Sequence, residues 1–367
     1  MTIGILYQEG LKEYDFGSGH PFRGDRYVNF LRFIRQHLAE DDRYRILAAA
    51  PATDEELSLI CDEGYIRFTT EYYRRANLGL EAPGDFFKYH STDNLPIGRP
   101  GKLEEAARLV VGQAREAGDL VQRGRFQKVV SIGGGLHHAK PSYGEGFCLY
   151  NDVAYAALRL MKDYGLEKVA ILDTDAHAGN GTYEYFYRDR RVLFIDLHQD
   201  PRGLYPGTGF ANQIGEGEGK GLKVNIPLPP GAGDASYRLA FESVVEPLVR
   251  EFQPQLIIRN GGSDPYFADG LTDLGLTLDG FRMIGEKTRQ LAEVCGGREI
   301  DLIASGYNEA VLPPAWLALI TGLAGIEPGI EGTEAAATPR RPDPQAATEK
   351  VLAEVRGNLK SYWSCLR

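Results

Sequence analysis

Short apolar, β-branched runs recur along the chain, separated by longer stretches of helical periodicity. The runs are "IGILY" (3–7), "YRILAAA" (44–50), "KVVSI" (128–132), "KVAILD" (168–173), "RVLFIDL" (191–197), "PQLIIRN" (254–260) and "DLIAS" (301–305). Their hydrophobicity is continuous rather than alternating, the pattern of strands covered on both faces. Between them, "GKLEEAARLVVGQAREAGDLVQRG" (101–124) puts Leu103, Ala107, Val110 or Val111 and Ala114 on one stripe, and 149–165 and 233–252 also read as helices. Strands alternating with helices predict an α/β fold, a three-layer α/β/α arrangement around a mostly parallel sheet. The alternation runs unbroken from 128 to 305 without an internal repeat, so residues 1–367 read as one domain. The Pro-, Gly- and Thr-rich stretch 325–348 reads as a surface loop before a last helix near 345–360.

Composition narrows the classes. With 41 basic and 51 acidic residues the net charge is −10, which argues against an electrostatic grip on nucleic acid or on an anionic membrane. No run approaches the ~20 apolar residues of a membrane span, and "MTIGILYQEG" lacks the basic and apolar regions of a signal peptide. The four cysteines, Cys61, Cys148, Cys295 and Cys365, are scattered, with neither metal-finger spacing nor the density of a disulfide scaffold. A reducing cytoplasm is the expected setting.

The chemistry gathers at strand ends, where open α/β sheets bind ligands. His137 and His138 follow the first strand of the central group, after "GGG". Asp173, Asp175 and His177 follow the next, set two apart as if sharing one face of an extended chain. Asp196 and His198, then Asp264, then Tyr307 follow the remaining three, and four of the seven histidines are in this group. Asp175, His177 and Asp264 would surround a divalent ion with two carboxylates and one imidazole, leaving a position open as in catalytic zinc sites. A sulfur-free set also suits iron(II) or cobalt(II). A single Asp–His pair reads better as an internally satisfied couple, but the whole set points to catalysis. Imidazole is the natural base near neutral pH, and Asp173 is placed to hold one of the tandem histidines.

"GGGLHHA", "DTDAHAGNGT", "YPGTG" (205–209), "GGSDPYFADGLTDLGLT" (261–277), "SGYN" (305–308) and the opening "YDFGSGHPFRGDRYVNFL" (14–31) together resemble the zinc-dependent histone deacetylase family. That family includes acetoin-utilisation proteins and acetylpolyamine amidohydrolases and shares the arginase/deacetylase fold. The resemblance implies zinc on Asp175, His177 and Asp264. It implies that His137 and His138 activate water and protonate the leaving amine, with Asp173 behind the first and Asn180 behind the second. Tyr307 matches the tyrosine that hydrogen-bonds the carbonyl and the developing oxyanion. Gly146, Phe147 and Tyr205 match walls of the acyl tunnel, Leu271 and Asp93 rim positions, and Arg26 an arginine of the internal cavity. A potassium ion is expected over Asp173, Asp175, His177, Asp196 and Leu197, altered because Asp196 stands where many relatives carry serine.

The implied reaction is hydrolysis of an N-acetyl amide, of acetyl-lysine or an acetylated polyamine or small amine, giving acetate and a free amine. Two departures bear on rate. Ala178 replaces a histidine in the family's "DxHHGDG", and Asn180 lacks the charge of the aspartate that others carry. Tyr14, Phe16, Asp93, Tyr143 and Tyr266 are candidate gate residues. An arginase-like binuclear hydrolase is the rival within the fold, needing extra ligands for a second metal. A non-catalytic acetyl-ligand binder is the rival outside it, predicting loss of a histidine or the tyrosine. Oligomeric state is not legible in one sequence.

Overall fold

A computed structural model describes residues 2–38, 43–326, 338–339 and 341–367. Among these residues eight strands form one sheet: β1 (Ile3–Leu6), β2 (Tyr44–Leu47), β3 (Lys128–Ile132), β4 (Val169–Asp173), β5 (Val192–Gln199), β6 (Lys223–Leu228), β7 (Leu256–Asn260) and β8 (Glu299–Ile303). Their order is β2-β1-β3-β8-β7-β4-β5-β6 and every pairing is parallel. Strands β3, β4, β5, β7 and β8 are buried along their whole length, because helices cover both faces; this is the physical cause of their unbroken apolar runs. Edge strand β2 is half exposed.

Seven of the eight strands coincide with the apolar runs. The exception is β6, "KVNIPL", whose Lys223, Asn225 and Pro227 break the pattern. Pro227 is tolerable because β6 is an edge strand, with no ladder partner on its outer side among the described residues. The Lys223 ammonium is buried but donates to the carbonyls of Val192 (2.6 Å) and Asp189 (3.1 Å). Strand β5 runs two residues further than its apolar run, so Asp196 and His198 lie within the ladder, opposite Asn225 and Pro227, rather than beyond it.

The helices follow the periodicity with one correction. Leu103–Gln122 buries Leu103, Ala107, Val110, Val111, Ala114 and Val121 against the sheet. The segment 233–252 is one helical run interrupted by a wide π-helical turn at Phe241–Val245. Pro247, just beyond it, has no N–H for the carbonyl four residues back, and a widened turn accommodates that loss. Half of the expected loop 325–348 lies outside the described residues, and the last helix runs over Gln345–Leu359, within the expected 345–360. Thr348 is buried there against the Ser236 hydroxyl at 2.7 Å. Asp343 accepts from the N–H groups of Gly233, Ala235 and Ser236, anchoring the chain before that helix.

Two ion pairs are buried inside the sheet between cross-strand neighbours: Lys128 with Glu299 (3.2 Å) and Arg259 with Asp301 (Nε–Oδ1 2.8 Å). The Arg259 guanidinium also reaches the Thr174 hydroxyl at 3.1 Å, tying β7 to the loop that carries the candidate ligands. No helix among the described residues is long and apolar enough to cross a membrane.

Candidate metal centre and active site

Five adjacent strands, β3-β8-β7-β4-β5, deliver the chemistry at their carboxyl ends. Strand β4 stops at Asp173, and the chain bends at once instead of continuing extended. Asp175 N–H donates to Asp173 Oδ1 (3.1 Å) and His177 N–H to Asp175 Oδ1 (2.8 Å), a succession of tight turns. The expected shared face is therefore split in two. Asp173 turns to the tandem histidines, while Asp175 and His177 turn to Asp264.

His177 Nδ1 lies 3.2 Å from Asp175 Oδ1 and 3.1 Å from Asp264 Oδ2. The three donor groups lie within 4.8 Å of one another, and they are the one such cluster of three or more His, Cys, Asp or Glu among the described residues. Burial alone would favour neutral forms. Although burial opposes it, Asp175 is held well below the usual carboxylate range by His137 and His177. Burial and the Asp175 charge push Asp264 up to about 7. His177 is raised to about 10, its burial outweighed by hydrogen bonds to the two carboxylates. Two carboxylates and an imidazole crowded out of water form an electrostatic set that a divalent cation satisfies directly. The Ser305 hydroxyl donates to Asp264 Oδ1 at 2.8 Å and so orients that donor.

The tandem histidines sit beside this set. Gly135 (φ +118°) makes the turn before them, and a Cβ there would lie 2.2 Å from Asn260 Oδ1. Asp152 accepts from the N–H of Gly135 (2.9 Å) and of Leu136 (2.7 Å), which holds the turn. His137 Nδ1 meets Asp173 Oδ2 at 2.8 Å, and the Asn260 amide donates to the same oxygen at 2.9 Å. His138 Nδ1 meets Asn180 Oδ1 at 2.7 Å, and the two Nε2 atoms approach to 3.1 Å. His137 is raised to about 9 because the Asp173 and Asp175 carboxylates outweigh its burial. His138 is pushed well below 6.5 by burial and by the neighbouring His137 and His177.

Tyr307 follows β8, and its backbone N–H donates to Asp269 Oδ2 at 2.7 Å. Its phenol is pushed well above 10, by burial first; nearby Arg26 opposes the rise, while the Asp264 and Asp175 carboxylates add to it. Phe147 packs edge-on against Tyr307 at 5.9 Å, and Tyr205 edge-on against His138 at 5.1 Å. Gly146 and Phe147 both adopt positive φ (+60° and +65°), and a Cβ on Gly146 would lie 2.2 Å from His138 Cδ2. Leu271 and Tyr205 are about 40% exposed at the mouth, and Leu271 N–H shares Asp269 with Tyr307. Asp93, an expected rim residue, accepts from Gly146 N–H at 3.0 Å and from the Ser91 hydroxyl.

Other expected residues have packing roles. Tyr14, Phe16 and Tyr266 are buried rather than exposed gates; the Tyr14 hydroxyl donates to the Phe147 carbonyl at 2.7 Å, bracing the wall from behind. Tyr143 stays partly exposed. The Arg26 guanidinium is buried over the Phe22 ring at 3.8 Å, 5.5 Å from the Tyr307 ring, donating to the Ala304 carbonyl. His198 stands apart from the cluster, with Nδ1 on Asp196 Oδ1 and Nε2 facing the Gly209 carbonyl, each at 2.8 Å. Asp196 Oδ2 takes the Gly179 N–H, so both its oxygens have partners. Sequence reasoning passed over Asn260, Ser305, Asp269 and Glu145. Asn260 had a signal, as a polar residue closing an apolar strand; Glu145 lies in an irregular loop and had none.

The histone deacetylase domain matches residues 20–323, and the chain belongs to the histone deacetylase family. A probable deacetylase of Archaeoglobus fulgidus is 34% identical over 382 residues, covering 100% of both chains. The acetoin utilization protein AcuC of Staphylococcus xylosus is 34% identical over 331 residues, 89% of this chain and 84% of that one. The solved HDA15 HD domain superposes with a TM-score of 0.83 at 26% identity, over 100% of this chain and 97% of that one. The fold is thus the three-layer arginase/deacetylase type, and family and relatives support a hydrolase of the deacetylase kind.

Proposed function

We propose that this chain hydrolyses the N-acetyl amide of an acetyl-lysine or of an acetylated small amine, releasing acetate and the free amine. The observation that carries the reading is the convergence of Asp175, His177 and Asp264 beside a histidine pair and a buried tyrosine. Zinc is the proposed ion, with iron(II) or cobalt(II) as chemically compatible substitutes. Bound by those three donors, it would supply Lewis acidity toward the amide carbonyl and acidify a water.

The protein's own groups do the rest. His138, holding its Nδ1 proton against Asn180, presents Nε2 as the general base, and His137, held by Asp173, stands beside it to compensate the developing charge. The Tyr307 hydroxyl, kept protonated by its surroundings, donates to the oxyanion. The same histidine pair then protonates the departing amine. Phe147 and Tyr205 flank an aliphatic stem, and their apolar faces exclude water from the reacting carbonyl.

The single cluster among the described residues, with buried Ala178 beside it, favours one metal over the binuclear rival. The intact histidine pair and tyrosine favour catalysis over mere binding. A potassium ion over Asp173, Asp175, His177, Asp196 and Leu197 stays part of the proposal, with the Asp196 carboxylate oxygens, already meeting Gly179 N–H and His198 Nδ1, as donors toward it. A cytoplasmic setting is proposed on the four free cysteines. The test is turnover of acetyl-lysine peptides and acetylspermidine by the purified chain, before and after chelation and after one equivalent of zinc. Loss and recovery of turnover, with one metal per chain and none in Asp264→Ala, is expected. Activity indifferent to chelation, or two metals per chain, would overturn the reading.

A further inference from the structure

We propose that Glu145 is a positioning residue for His138. It fixes the orientation of the Asn180 amide and supplies, one group further out, the negative charge that the amide lacks. The inference rests on the deacetylase reading and concerns how the second histidine is held.

The two histidines are oriented by different devices. His137 Nδ1 faces a carboxylate, Asp173, which can only accept, so that nitrogen must carry the proton. His138 Nδ1 faces an amide, 2.7 Å from Asn180 Oδ1. An amide's two ends are nearly the same size, and either could face the ring. With oxygen inward, His138 is protonated on Nδ1 and Nε2 keeps the lone pair that a base requires. With nitrogen inward, the tautomer reverses and Nε2 is blocked by its own proton. Nothing within Asn180 chooses between them.

Glu145 chooses. Its Oε1 lies 2.7 Å from Asn180 Nδ2. A carboxylate must be met by a donor, so the amide turns its NH2 outward and its oxygen toward His138. The carboxylate is itself held in place, because the Lys140 ammonium lies 3.2 Å from the same oxygen, with Glu184 a further 3.6 Å contact of that lysine. The Glu145 side chain is 15% exposed, sheltered enough for its charge to be felt through the amide. The order Lys140–Glu145–Asn180–His138 is thus a relay in which only the last member touches the reacting atoms. It also answers the departure seen in the sequence: a weaker partner at 180 is backed by a carboxylate at 145, directly before the glycine that packs on the His138 ring.

The test uses the zinc-loaded full chain, with kcat and KM on an acetyl-lysine peptide and ring 15N shifts in histidine-labelled protein. In wild type, His138 is expected as the Nδ1–H tautomer. Glu145→Ala is expected to move it toward Nε2–H and to lower kcat about tenfold with KM within twofold. Glu145→Gln keeps the volume and loses the charge, and carries the test if the alanine variant does not fold; it should cost less. The sign should reverse in an Asn180→Asp background, where two carboxylates would oppose each other and Glu145→Gln should raise kcat. An unchanged tautomer and kcat in Glu145→Ala, or an equal loss from Glu145→Gln in both backgrounds, would overturn the assignment. Absence of metal-dependent turnover in wild type would instead defeat the deacetylase reading, and the tautomer measurement would still judge Glu145.

Discussion

Replacing Gly146 with alanine tests whether the His138 ring must stand where it does. A Cβ at 146 would lie 2.2 Å from His138 Cδ2, 2.6 Å from Cγ and 2.9 Å from Cβ. Carbon atoms pack at roughly 3.5 Å or more, so the ring must retreat by more than about 1 Å. It has little freedom to do so, held by Asn180 at 2.7 Å, by His137 at 3.1 Å and by the edge of Tyr205. Misplacing a catalytic group by about 1 Å costs about a hundredfold in rate, or about 2.7 kcal/mol of barrier. The left-handed φ of +60° adds about 1 kcal/mol of backbone strain in any L-residue. Gly165→Ala controls for that strain: it has φ +66° with nothing within 4 Å of its added Cβ. Steady-state turnover, metal content and melting temperature are measured on both. We expect Gly146→Ala to lose about a hundredfold in kcat while keeping one metal per chain, and Gly165→Ala to lose stability only. Turnover of Gly146→Ala within a few-fold of Gly165→Ala would refute the argument.

Tyr307→Phe should bind metal normally yet lose about a hundredfold or more in kcat, with KM little changed, since it removes one oxyanion donor; near-normal turnover ends that role. His90 is buried among Tyr65, Phe68, Tyr73 and Phe86 with the Thr69 hydroxyl 2.9 Å from Nε2, and burial pushes it down to about 3. Between pH 6.5 and 3 the unfolded chain therefore binds a proton that the folded chain refuses, so native stability falls as pH drops through this window. Urea melts should show wild type losing about 1.4 kcal/mol per pH unit more than His90→Phe there; parallel curves would contradict the assignment.

The sheet was legible because helices bury both faces of its middle strands, which forces uninterrupted apolar runs. Strand β6 escaped because an edge strand can hold a proline and a lysine whose ammonium meets carbonyls. The metal donors were legible as residue types at strand ends. Their division was not: whether the chain stays extended after Asp173 is decided by turns through Asp173 and Asp175 side chains, a tertiary choice that a spacing of two does not encode. The rim was read least well. Tyr14 and Phe16 look like loop aromatics in one dimension, yet they are the packing that supports Phe147. Glu145 and Asp269 sit in irregular loops, where no periodicity announces them.

Since five neighbouring strands each bring part of one small centre, the site doubles as a gauge of sheet alignment. A single-residue slip anywhere from β3 to β5 would carry a contributing side chain about 3.3 Å away and reverse its facing. An ion bridging the ends of β4 and β7 would therefore reward only chains whose middle strands have settled correctly, adding stability by mass action to that arrangement alone. Damaging substitutions deep in those strands should announce themselves as weakened metal retention well before they lower the melting point.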